Sequence, residues 1–108
     1  MEDEKAVALF QEILEKTRSG RIKWEPTADE DSFVASVGGK FTILIAQTPE
    51  EGPALVLKDA DDRVLMTVRY DTNGVDFSEL RDLRDMVRRR ALRVDEKVDE
   101  VLTELGKL

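Results

Sequence analysis

The sequence predicts an α+β domain: an N-terminal helix, a five-stranded antiparallel meander and a C-terminal helical segment broken near Arg93-Val94, in the order α-β5-α-α. Three observations predict it. Apolar residues repeat at helical spacing over residues 3–18, alternate with period two from 22 to 70, and return to helical spacing from 80 to 105. A length of 108 residues with 41% hydrophobic content fits one domain, residues 1–108, with one ordinary core.

In the first segment Ala6, Leu9, Phe10, Ile13, Leu14 and Thr17 form an apolar stripe between Glu and Lys. Asp3 is the expected N-cap and Ser19-Gly20 the stop. Ile22 and Trp24 begin a short strand ended by Pro26, and the acidic stretch 28–31 is a loop. Phe33, Ala35 and Val37 share a face of the second strand. Gly38-Gly39 then turns the chain into Phe41, Ile43 and Ile45, because glycine accepts positive φ without penalty. Residues 48–53 make a second turn before Leu55 and Leu57. Residues 59–62 make a third before Val64, Met66, Val68 and Tyr70. Such short connections favour neighbouring antiparallel strands.

The loop 71–74 leads into helix, where Asp76 and Glu79 have capping-box spacing. Leu80, Leu83, Val87 and Ala91 form one stripe, and Val98, Val101, Leu102 and Leu105 form another. An unbroken helix over 77–105 would run ~44 Å at 1.5 Å per residue and overhang so small a domain. A break at Arg93-Val94, with Asp95 capping a third helix, resolves this.

Composition removes most catalytic chemistry. With no Cys there is no thiolate nucleophile, disulfide or thiolate metal site, and with no His no imidazole base or ligand. No cofactor or metal is expected. Asp59, Asp61 and Asp62 imitate an oxygen-ligand set, but Val64 and Tyr70 occupy the positions where a calcium loop needs Gly and Glu, so a polar hairpin turn is the better reading. Trp24 and Tyr70 could offer a base-stacking platform, although Trp24 shares its face with Ile22 and reads as core. The acidic start, Met1 to Lys5, is the reverse of a basic signal-peptide head, and no apolar run can span a bilayer. A cytoplasmic protein with no membrane partner is expected.

The charge is uneven. The chain carries 24 Asp+Glu and 17 Lys+Arg, net -7, yet residues 81–93 hold six Arg and two Asp, and residues 95–104 hold five acids and one Lys. Arg81, Arg84, Arg88 and Arg89 could present forked donors to phosphate or carboxylate. A plainer reading is preferred: Arg81–Asp85 and Asp85–Arg89 pairs one helical turn apart, cations at a helix C-terminus and acids at the next N-terminus. Nucleic-acid binding through these arginines ranks third among the functions considered, because the net charge opposes it.

A second candidate surface lies on the sheet. If Phe41, Ile43, Ile45, Leu55, Leu57, Val64, Met66 and Val68 face the helices, Leu44, Val56 and Leu65 point the other way with Thr42, Ala46, Ala54 and Thr67. That face is too apolar for open solvent, so the chain's own terminal helix or another chain should cover it.

The run Thr17-x-x-Gly20-x-Ile22-x-Trp24 resembles a group of short bacterial proteins of unknown function. The tail from Leu80 to Leu105, with Ala91-Leu92 and Val94-Asp95-Glu96, is similar to theirs. The resemblance implies a helix–sheet–helix domain and no activity.

The expected function is therefore a non-enzymatic module that binds a protein partner or itself. Contacts are expected from Leu44, Val56 and Leu65 or from the bipolar tail, with residues 81–93 of one chain meeting 95–104 of the other in a homodimer. The alternative is an acidic antitoxin- or immunity-like protein that neutralises a basic partner.

Overall fold

The computed structural model describes residues 2–50, 52–71 and 74–108, without the side chains of Glu2 and Asp3. The element order is α1 (Glu2–Arg18), β1 (Glu25–Pro26), β2 (Ser32–Val37), β3 (Phe41–Thr48), β4 (Gly52–Lys58), β5 (Val64–Arg69), α2 (Phe77–Ala91) and α3 (Val94–Gly106). All neighbouring strands pair antiparallel in the sheet order β1-β2-β3-β4-β5, as a meander requires. Capping of α1 by Asp3, the Glu51 position of the second turn and Thr72-Asn73 of the last loop lie outside the described residues.

One core fills the space between the sheet and two helices. Phe10, Ile13 and Leu14 of α1 and Leu80, Leu83 and Val87 of α2 are buried with Phe33, Ala35, Ile43, Ile45, Leu55 and Val68 of the strands. These strand residues alternate along the sequence, so they share one face. Both α1 and α2 lie on that face, and they also touch each other.

The Thr-x-x-Gly-x-Ile-x-Trp run is the lock that closes α1. Gly20, at φ +76°, ends the helix in a Schellman arrangement: its N–H donates to Thr17 O at 3.1 Å, and Arg21 N–H donates to Lys16 O at 2.9 Å. The chain doubles back, and the indole N–H of Trp24 donates to Thr17 Oγ1 at 3.0 Å inside the core. Arg90 of α2 crosses over the same turn and donates to Arg18 O at 3.0 Å, satisfying a helix-end carbonyl. A packing motif thus joins helix, strand and second helix within one short segment.

The first strand is shorter than the sequence predicts. Ile22 and Trp24 precede it, and only Glu25 and Pro26 pair with β2. Trp24 bonds inward to Thr17 instead of extending a ladder, and Pro26 lacks an N–H to donate. Gly38 and Gly39, at φ +63° and +70°, turn β2 into β3 as expected.

Alternation also overstates the core at the sheet's margin. Val37, Phe41, Val64 and Tyr70 carry apolar side chains in phase with the buried face, yet each is more than 40% exposed. Val37 and Phe41 lie at the β2–β3 hairpin end of the sheet, which the helices leave uncovered, whereas Tyr70 follows β5 at the opposite end. A bulge between Leu57 and Lys58 also shifts the pairing where Val64 joins the ladder. Tyr70 instead packs edge-on against Phe77, with ring centroids 5.9 Å apart.

Asp76 caps α2, but not through a reciprocal capping box. Its carboxylate accepts from Ser78 N–H and from the Ser78 hydroxyl, both at 2.8 Å, while Glu79 accepts from Gln11 of α1 at 3.4 Å. The Ser78 N–H, then its hydroxyl, holds the Asp76 carboxyl below the usual carboxylate range. A lowered folded-state value stabilises the fold above the unfolded value and ceases to do so as pH falls through the folded one. Asp76→Ala is therefore expected to lower the urea midpoint at neutral pH. The deficit should shrink as pH falls below the ordinary Asp value of about 3.9, and parallel melts of the two proteins across that range check this.

The helical break stands where the sequence predicts it, but Asp95 does not make it. Leu92 and Arg93 lie between α2 and α3; Arg93, at φ 53° and ψ 47°, offers no side-chain cap, while Asp95 lies within the first turn of α3. Leu92 and Arg93 N–H groups close the end of α2 on Arg88 O and Arg90 O. A left-handed conformation costs an L-residue about 1–2 kcal/mol. Arg93→Gly should therefore raise stability by up to about 1 kcal/mol, and Arg93→Val should lower it by a similar amount, in urea denaturation followed by circular dichroism.

Among the described residues no helix is long and apolar enough to cross a membrane.

Candidate interaction surfaces

The terminal helix is the least expected feature. α3 is amphipathic, yet it contains no buried residue. Val98, Val101, Leu102 and Leu105 are 48%, 54%, 60% and 56% exposed. Its main neighbour is α2, and the chain extends 58 Å along its long axis against 29 and 27 Å across. A helix with an apolar stripe normally buries it against something. Here the stripe stands free.

The second sheet face is also left open by the chain's own helices. Val34, Leu44, Val56 and Thr67 pair in one row across β2 to β5, with Ala46 and Ala54 in the next. Leu44 and Val56 are half-buried by their strand neighbours, and Leu65, beside the bulge, is 51% exposed. The terminal helix does not fold onto this face, because the left-handed residue Arg93 redirects it and α3 buries nothing.

A third surface, this one concave, lies at the uncovered end of the core. An apolar groove of about 420 Å³ runs between α1 and the β2–β3 hairpin, with Leu9, Ile13, Ile22, Val37 and Phe41 among its lining residues. Its two charged lining residues, Glu12 and Lys16, pair with each other at 3.5 Å.

The arginines diverge from one another. Arg84 has the least exposed side chain, 17%, and reaches Asp31 of the β1–β2 loop at 3.5 Å and Asp85 at 3.2 Å. Its Nε is buried without a partner. Arg89 spans the helical break to Asp95 at 2.7 Å. Arg81 meets Asp82 at 3.8 Å, and Arg88 is exposed. The expected Arg81–Asp85 and Asp85–Arg89 pairs do not form, since Asp85 is engaged by its neighbour Arg84 and Arg89 by the start of α3. With Arg90 committed to the α1 terminus, the segment serves largely to hold α2 to its surroundings. Surface pairs of this kind contribute about 0–1 kcal/mol each.

The acidic turn 59–62 closes on itself. Asp59 accepts from Asp61 N–H at 2.9 Å, Arg63 N–H at 3.0 Å and Arg63 Nε at 2.9 Å. Arg63 also reaches Asp61 at 3.2 Å. This is an Asx-type turn around an arginine. Among the described residues no group of three or more acidic side chains is placed to hold a metal ion. Trp24 is buried and Tyr70 packs edge-on against Phe77, so the two do not form a platform.

The sequence carries a signal on α3 that its amphipathic reading leaves unused. Val94, Val98, Val101 and Leu105 recur at intervals of four, three and four, the a/d spacing of a helix pair, with Lys97 and Glu104 beside the seam. No protein-family model matches this chain, and neither does any curated protein or solved structure compared with it.

Proposed function

We propose that this chain is a non-enzymatic, cytoplasmic protein-interaction module that associates with itself, with α3 as its principal docking element. The observation that carries the proposal is the exposed stripe of α3: four large aliphatic side chains at about half exposure on a helix that buries none of its residues. Removing such a stripe from water is the main driving force for association, at roughly 25 cal/mol per Å² of apolar surface. The open sheet face around Leu65 is a secondary surface.

The non-enzymatic part is supported by how the acidic side chains are used. Asp76 caps a helix, Asp59 organises a turn, and Asp31 and Asp95 pair with arginines. Each of these four is spent on a structural contact and not on the paired-carboxylate arrangement that acid–base chemistry would require. The competing reading, a basic protein partner, is favoured by five exposed acids on α3: Asp95, Glu96, Asp99, Glu100 and Glu104.

A seam of one short helix belongs to the weak, transient class of interfaces, so a dissociation constant of roughly 10–100 µM is expected. Light scattering from about 5 to about 500 µM should show the mass rising toward that of a dimer. A monomeric mass throughout would overturn self-association and favour the basic partner.

A further inference from the structure

We infer that the occupant of the α3 stripe is α3 of a second copy, packed antiparallel about a two-fold axis in one register set by Lys97 and Glu104. The inference rests on the self-association proposed above and adds the partner segment, its direction and its alignment.

The direction follows from charge. In an antiparallel helix pair the residues that precede the a positions face one another across the seam. On α3 these are Lys97 and Glu104, one cation and one anion, both exposed. Aligning Val98 with Val101 of the second copy, and Val94 with its Leu105, sets Lys97 of each chain against Glu104 of the other. Two opposite-charge contacts result from one symmetry operation, as a self-complementary patch requires. Sliding by one heptad in either direction opposes Lys97 to its own copy, or Glu104 to its own copy. A parallel pair would leave Lys97 beside Leu102 and bring the acidic first turns, with Asp95 and Glu96, together. One arrangement pairs unlike charges, and the alternatives do not.

The groups that compete for these residues are weak. Glu104 is held by Lys107 at 3.2 Å, with both side chains about two-thirds exposed or more. Lys97 has no ion pair among the described residues. Asp95, which flanks the seam on the other side, is already neutralised by Arg89. The free stripe continues past the helix to Leu108, which is fully exposed.

The chain has no cysteine, so introduced thiols report only on the interface. Val94→Cys and Leu105→Cys proteins, mixed under mild oxidation, should cross-link to each other. Neither should cross-link alone, because like positions then lie about 16 Å apart along the pair at 1.5 Å per residue. Lys97→Glu should weaken dimerisation on the order of tenfold by replacing two attractions with two repulsions, and Lys97→Glu/Glu104→Lys should recover the wild-type constant. Cross-linking of each variant with itself would overturn the antiparallel direction. Dimers by light scattering that form no cross-link, or that ignore the charge exchange, would overturn the α3 pair while leaving self-association standing. A monomer at every concentration would remove both.

Discussion

Thr17→Val is expected to destabilise the fold by about 2 kcal/mol, although the two side chains have nearly the same shape. Thr17 is fully buried, and its hydroxyl oxygen accepts the indole N–H of Trp24 at 3.0 Å. Valine would leave that N–H inside the core without an acceptor, and a buried unpaired donor costs about 1–3 kcal/mol. Trp24→Phe removes the donor instead and costs packing volume as well. The double variant Thr17→Val/Trp24→Phe has neither group to satisfy, so its loss should fall short of the sum of the single losses by about 1–2 kcal/mol. Urea denaturation followed by circular dichroism suits all four proteins, since Trp24 is the sole tryptophan and fluorescence disappears with it. Additive losses would show that the bond holds nothing together, and the Thr-x-x-Gly-x-Ile-x-Trp run would reduce to a helix stop beside a core residue.

That lock also shows which parts of the fold can be read from sequence. Gly20 announces a helix end and Gly38-Gly39 a hairpin because each needs positive φ, a property of one residue's own backbone. Strands β2 to β5 follow from alternation and short turns for the same local reason, whereas the alternating Ile22 and Trp24 precede β1. Burial is not local. Val37 and Phe41 are in phase with Ile43 and Leu55, but nothing in a period of two says how far α1 and α2 extend over the sheet, or that a bulge sets Val64 opposite Lys58. The Thr17–Trp24 bond joins the end of a helix to the residue before a strand, and no propensity encodes it.

The arginine segment teaches the complementary lesson. A sequence can show six arginines near one another, but each side chain's partner depends on elements brought in by the fold. Arg90 reaches the end of α1, Arg84 reaches the loop before β2, and Arg89 reaches across the break. The break itself was legible from the charge reversal at 93–95 and from helix length. Its mechanism was not, because the residue that turns the chain is an arginine in a conformation that usually selects glycine. The apolar pattern of α3 likewise states that one face avoids water without stating what covers it.

Val101→Glu should abolish dimer formation while leaving the stability of the isolated chain within about 0.5 kcal/mol of wild type, as exposed helical substitutions ordinarily do. Val101 is 54% exposed on a helix that packs none of its residues into the core, so glutamate there displaces nothing inside its own chain. In the pair it stands opposite Val98 of the second copy, where a carboxylate loses its water without gaining a cation. The symmetry places that cost at two positions, and a rise in the dissociation constant of about a hundredfold or more follows. Both quantities must be measured below the dimer's own dissociation constant and above it, because association adds to apparent stability by mass action. Leu65→Lys, on the open sheet face, serves as the companion: it should leave the dimer intact if α3 is the docking element. A stability loss above about 2 kcal/mol for Val101→Glu in the dilute monomer would place Val101 in the chain's own core instead. Dimerisation lost with Leu65→Lys but kept with Val101→Glu would move the interface from the helix to the sheet.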